Sequence, residues 1–116
     1  NKTFCIWGLS FKPNSGDLRE APSKTIIDVL TRHGATIKAY DPRAVSSDIK
    51  QSKTKEEALF GANALIICTE WDEFKNPDFE FISSNLTDKV IFDARNIYID
   101  KNLSKYNLEY YCVGKK

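Results

Sequence analysis

The sequence predicts a doubly wound parallel α/β sheet of about five strands with helices on both faces. Three observations carry that expectation. Short β-branched and aromatic runs alternate with helix-like segments and show no hairpin signals between them. The strand candidates are apolar almost throughout, as strands covered on both faces are. The first of them stops at Gly8, hands over to a polar loop, and a proline at position 22 then opens a helix.

Thr3-Phe4-Cys5-Ile6-Trp7 reads as the first strand. Pro22 suits a first helical turn, where its missing N–H costs nothing. Ile26, Ile27, Leu30 and His33 then recur at helical spacing until Gly34 stops the helix. Thr36-Ile37-Lys38-Ala39-Tyr40 alternates as a second strand and ends at the turn signal Asp41-Pro42. Residues 43–53 are polar and read as a loop with at most a short helix. Thr54 and Glu57 form a capping-box pair for a short helix ending at Gly61. Ala64-Leu65-Ile66-Ile67-Cys68, the most hydrophobic run, reads as a central strand. Pro77 with Asp78 and Glu80 begins another helix, and Lys89-Val90-Ile91-Phe92 is a fourth strand ended by Asp93. A weak helix over Lys101 to Tyr106 and a fifth strand from Glu109 to Val113 complete the chain.

The 116 residues suffice for one domain with one proper core, and residues 1–116 are expected to form a single unit. A net charge of +1 gives no nucleic-acid footprint and no attraction to anionic membranes. No apolar run approaches the roughly 20 residues of a membrane span, and no signal-peptide pattern is visible. Cys5, Cys68 and Cys112 lie in or beside apolar runs, the placement of buried reduced thiols in a cytoplasmic protein. None has a neighbouring cation to activate it, so no nucleophile is assigned among them. One histidine and scattered cysteines give no metal site. The chain has no methionine and opens Asn1-Lys2-Thr3, which implies a trimmed chain or a domain of something longer.

Right-handed crossovers and the simplest winding predict the strand order 3-2-1-4-5, with the switch between strands 1 and 4. Lys12 and Arg19, after strand 1, would then converge with Arg95, after strand 4, on the crevice where such folds hold ligands. Cations beside the N-terminal end of a helix suit a phosphate or diphosphate. Plainer readings stand beside this one. Lys12 reads equally as a solvated loop lysine, Arg19 as a partner of Asp17 or Glu20, and Arg95 as a structural group bonding Asp93 or a nearby carbonyl. His33 sits where a helix dipole or packing role fits, and Trp71 where it would cap the sheet. Glu70 and Asp72 form a carboxylate pair without a third partner. The dinucleotide fingerprint G-x-G-x-x-G is missing: Gly8-Leu9-Ser10-Phe11-Lys12-Pro13 keeps only its first glycine. A Rossmann-like fold without its pyrophosphate loop is not expected to hold NAD alone.

Gly8-Leu9-Ser10-Phe11-Lys12-Pro13-Asn14-Ser15-Gly16-Asp17-Leu18-Arg19-Glu20-Ala21-Pro22 resembles the G-L-x-F-K-x-x-T-x-D-x-R-E-[AS]-P signature of the UDP-glucose/GDP-mannose dehydrogenase family, at the opening of its C-terminal, UDP-binding domain. Ala39-Tyr40-Asp41-Pro42, Thr69-Glu70-Trp71-Asp72-Glu73-Phe74 and Phe92-Asp93-Ala94-Arg95 extend the resemblance in order. The Thr-Glu-Trp form is most similar to the UDP-glucose 6-dehydrogenases, while a related UDP-aminosugar dehydrogenase and a stand-alone nucleotide-binding module remain open. The resemblance implies NAD-dependent oxidation of UDP-glucose at C6 to a carboxylate, with two NAD reduced. It implies an NAD-binding domain and a catalytic cysteine segment ahead of this domain, so these residues alone would be inactive. Phe11, Lys12 and Arg95 would contact the UDP-sugar, and Arg19 would reach toward NAD on the other domain. Ser15 replaces the signature threonine and keeps its hydroxyl. A homodimer or larger assembly of the full-length enzyme is also implied.

Overall fold

In the computed structural model, which describes residues 2–10, 22–46 and 49–113, five strands form one parallel sheet. They are β1 (Thr3–Trp7), β2 (Thr36–Tyr40), β3 (Ala64–Ile67), β4 (Val90–Asp93) and β5 (Glu109–Cys112). Their spatial order is β2-β1-β3-β4-β5. The expected order 3-2-1-4-5 is therefore corrected: β3 lies on the far side of β1 from β2. Burial explains the difference. All four residues of β3 are buried, so it needs a strand on each edge and a layer on each face. In β2 only Ala39 is buried, and Thr36 is exposed, as suits an edge. The switch point thus falls between β1 and β3. Gly8 to Ser10, which leave β1, lie against the start of the loop after β3, and the loop after β4 begins one strand further on.

Helix α1 (Pro22–Arg32) follows the first loop and covers one face, where Ile27 meets Ile6, Ala39 and Ile66. Its chain reversal is built as expected: Gly34 takes φ +88° and Ala35 N–H returns to Leu30 O at 3.0 Å. His33 Nδ1 lies 2.9 Å from Val29 O at this helix end. The opposite face carries α2 (Lys55–Leu59), α3 (Phe79–Asn85) and two 3-10 turns, Asp72–Phe74 and Leu103–Tyr106. There Trp7 stacks on Phe74 with centroids 5.1 Å apart, and Tyr98 donates to Phe74 O at 2.5 Å. This layer holds most of the buried large side chains.

Thr54 Oγ1 accepts from Glu57 N–H at 3.0 Å, the expected N-cap bond of α2, while the return bond of Glu57 Oε1 goes to Lys53 N–H at 2.9 Å, one residue before the N-cap, rather than to Thr54. Helix α3 starts two residues after Pro77, because Asp78 takes the N-cap and accepts from Phe81 N–H at 3.1 Å. The segment near Lys101–Tyr106 forms only a 3-10 turn, closed by Asn107 at φ +63°. Cys5 and Cys68 are fully buried and free; Cys112 is partly exposed. Burial pushes the Cys5 thiol far up and raises Cys68 to about 12, against the opposing pull of Arg95 on Cys68. Among the described residues no helix is long and apolar enough to cross a membrane.

The cap on α2 is separable from the rest of the core. Thr54→Ala is expected to lower the unfolding free energy by about 1 kcal/mol in urea titrations. An unchanged midpoint would show that the Thr54 bond adds nothing to the helix.

Candidate functional site

Four buried interactions fasten the chain where it leaves β1. Gly8, at φ +98°, donates to Tyr40 O at 2.8 Å. A Cβ at Gly8 would stand 2.5 Å from Thr69 Cβ, so only glycine permits this closeness to the exit of β3. Thr69 Oγ1 donates to Ser10 O at 2.5 Å, and Ser23 Oγ, in the first turn of α1, donates to Leu9 O at 2.7 Å. The fourth is Asp41, 8% exposed at the end of β2. Its Oδ2 accepts from Leu9 N–H at 2.7 Å and Ser10 N–H at 3.3 Å. Its Oδ1 accepts from Arg43 N–H at 2.8 Å and Ala44 N–H at 2.6 Å. Leu9 and Ser10 therefore have both backbone polar groups paired, immediately ahead of Phe11.

The second wall of the crevice comes from β3 and β4. Arg95 Nε donates to Glu70 Oε1 at 2.8 Å and Nη2 to Oε2 at 3.1 Å, a bidentate pair. Partial burial alone would raise the Glu70 pKa, but the bonds and charge of Arg95 prevail and hold it below its ordinary value of 4.5. Asp93, 1% exposed, ties the start of the next loop. Its Oδ1 accepts from Arg95 N–H at 3.0 Å, and its Oδ2 accepts from Tyr98 N–H at 2.8 Å and Tyr110 Oη–H at 2.7 Å. Burial and that bond to Asp93 raise the Tyr110 hydroxyl strongly. Trp71 packs on the larger core, and its buried Nε1 has no hydrogen-bond partner among the described residues.

Of the residues singled out from sequence, Arg95 stands at the strand C-termini, and its side chain bonds Glu70 rather than Asp93. Phe11, Lys12 and Arg19 lie outside the described residues. Glu70 and Asp72 separate: Glu70 faces Arg95, while exposed Asp72 pairs with Lys75 at 3.1 Å. The anchors Asp41, Thr69 and Ser23 were not identified from sequence. Asp41-Pro42 shows only its local half there, the turn in which an aspartate accepts from residues two and three further on. Nothing in the sequence connects it to Leu9, 32 residues away.

A parallel sheet with its switch between β1 and β3, and fixed loop ends meeting above it, defines a doubly wound ligand-binding domain. The sequence matches the UDP binding domain of the UDP-glucose/GDP-mannose dehydrogenase family over residues 5–101. The chain belongs to that family. It is 40% identical over 122 residues to the UDP-glucose 6-dehydrogenase YwqF of Bacillus subtilis, covering 99% of this chain. The UDP-glucose 6-dehydrogenase of Pseudomonas aeruginosa is 32% identical over 126 residues, covering 98% of the chain. A UDP-N-acetyl-D-mannosamine dehydrogenase of Methanococcus maripaludis is 37% identical over 103 residues, covering 86% of this chain and 24% of its own length. The chain spans only 28% of the length of the first two relatives. The fold recurs in an NDP-N-acetyl-D-galactosaminuronic acid dehydrogenase from Methanosarcina mazei, with TM-score 0.89, 21% identity, and coverage of 99% of this chain and 25% of that one.

Two outcomes follow from the geometry. Gly8→Ala introduces both a left-handed strain and a clash with Thr69, and is expected to destabilise the fold by roughly 2–4 kcal/mol in urea unfolding. A loss below about 0.5 kcal/mol would contradict the close approach. Because the folded pKa of Glu70 is depressed, its contribution is fully present above its ordinary value of 4.5 and is lost as pH falls through the folded value. Glu70→Gln should therefore show a smaller loss of stability between neutral pH and pH ~3 than the unmodified protein. Parallel pH profiles would remove the Arg95–Glu70 pair from that account.

Proposed function

We propose that the domain binds the UDP part of a UDP-sugar at the crevice above β1 and β3, within an NAD-dependent UDP-glucose 6-dehydrogenase. The observation that carries this reading is the family match over residues 5–101, joined to 40% identity with a UDP-glucose 6-dehydrogenase across nearly the whole chain. In this reading Phe11 and Lys12 contact the nucleotide-sugar, with Lys12 pairing with the diphosphate. Arg95 supplies the second cation, its guanidinium oriented by Glu70. Arg19 reaches toward NAD held elsewhere in the enzyme.

In this reading the domain does not hold NAD by itself. In dinucleotide-binding folds, a carboxylate after the phosphate loop takes the ribose hydroxyl. Asp41, at the end of β2, has instead accepted four backbone N–H groups, which fills its two oxygens. The cofactor accordingly belongs to other parts of a longer polypeptide, together with the catalytic cysteine. The 116 residues are then the C-terminal domain, inactive alone, of an enzyme assembled as a dimer or more. The free cysteines suit a reducing, cytoplasmic setting.

The 37% identity to a UDP-N-acetyl-D-mannosamine dehydrogenase favours a second reading, a UDP-aminosugar substrate on the same diphosphate contacts. Turnover by the full-length protein separates the two: NAD reduction with UDP-glucose supports the first, and with only a UDP-aminosugar the second. Lys12→Ala in the full-length protein is expected to weaken UDP-glucose binding about 10- to 100-fold by calorimetry, the worth of one charge-assisted contact. Unchanged affinity would remove Lys12 from the site.

A further inference from the structure

Thr69 and Glu70 stand at the exit of β3, the strand that lies between β1 and β4. The backbone ladder ends just ahead of them, with Cys68 N–H donating to Trp7 O at 2.9 Å and Ala94 N–H to Ile67 O at 3.0 Å. Past that point side chains join the strand ends. Thr69, fully buried, turns to the β1 side, where its Oγ1 bonds Ser10 O and its Cβ closes on Gly8. Glu70 turns to the β4 side and takes Arg95 in two bonds. A guanidinium has five N–H donors, and Glu70 uses one on Nε and one on Nη2. The remaining edge, Nη1 with the second N–H of Nη2, has no partner among the described residues and matches two oxygens of one phosphate. Arg95 N–H is held by Asp93 Oδ1 at 3.0 Å, so both ends of the residue are fixed.

We propose that Thr69 and Glu70 are positioning residues that set the separation of the two cation-bearing segments for one diphosphate. Thr69 acts through the segment that continues from Ser10 to Lys12, and Glu70 acts through Arg95. The proposal rests on the reading of the crevice as a UDP site. Two cations meet a single diphosphate only where their supports hold them to roughly 0.5 Å. Consecutive residues on the strand between them supply such a support, because neither segment can shift without straining its bond to the same dipeptide. A role confined to holding the fold together differs in one respect. It would make each residue matter equally whichever cation is present.

Double-mutant cycles in the full-length protein test this, with UDP as the calorimetric probe and urea midpoints to verify folding. Glu70→Gln is expected to weaken UDP binding about 10-fold. In an Arg95→Ala background the same change should cause no further loss, since Glu70 then has no cation to orient. Thr69→Ala is expected to weaken binding by a similar factor, and by less than about 2-fold in a Lys12→Ala background. Thr69→Ser, which keeps the donor, should recover most of that loss. Equal losses in both backgrounds, or a Thr69→Ser variant as weak as Thr69→Ala, would overturn the assignment in favour of a purely structural role. Unchanged affinity in Glu70→Gln and Thr69→Ala would overturn it while leaving the UDP site in place. Failure of the unmodified protein to bind UDP would instead remove the proposed function, and this assignment with it.

Discussion

The carboxylate of Asp41 is the interaction on which the crevice depends. A buried carboxylate is costly unless its oxygens are fully bonded, and here four backbone N–H groups satisfy it. Two of those donors open the loop after β1 and two form the turn after β2. One side chain thereby joins the ends of two neighbouring strands and fixes the direction in which the chain leaves β1. Thr69 and Ser23 hold the carbonyls of the same two residues. The chain thus reaches Phe11 from an anchor in which Leu9 and Ser10 have both backbone polar groups paired.

The same carboxylate is already committed to the backbone, where a Rossmann-type dinucleotide site would need it free. A Rossmann-type site needs glycines for close phosphate approach and an acid free to take a ribose hydroxyl. The chain lacks the former and has committed the latter to its own backbone. On the β4 side Arg95 is held in a bidentate fork by Glu70, so its orientation is set before any anion arrives.

The two layers on the sheet are unequal. Trp7, Phe74, Phe79, Ile82 and Tyr98 make one face a dense aromatic and aliphatic core. The other has α1 alone among the described residues, and leaves Phe92 and Tyr111 half in water. The asymmetry follows from topology: α3 and the turn before β5 both lie on the first face, so β4 and β5 receive no crossover element on the second.

Much of this was legible in the sequence for local reasons. Strands show as apolar β-branched runs, Gly34 marks a helix end, Thr54 and Glu57 cap α2, and the stretch from Gly8 to Pro22 with three later motifs carries the family. Each of these signals spans a few residues or one contiguous segment. The strand order was not legible, because periodicity says that β3 is apolar but not which strand it sits beside. Hydrophobicity already marks β3 as central, but only the fold shows it between β1 and β4, which moves the switch to β1 and β3. Likewise Asp41 reads in sequence as a turn residue and Arg95 as a cation with several possible partners. Tertiary structure decided that Asp41 reaches Leu9 across 32 residues and that Arg95 pairs with Glu70 across 25, since only the folded sheet brings those strand ends together.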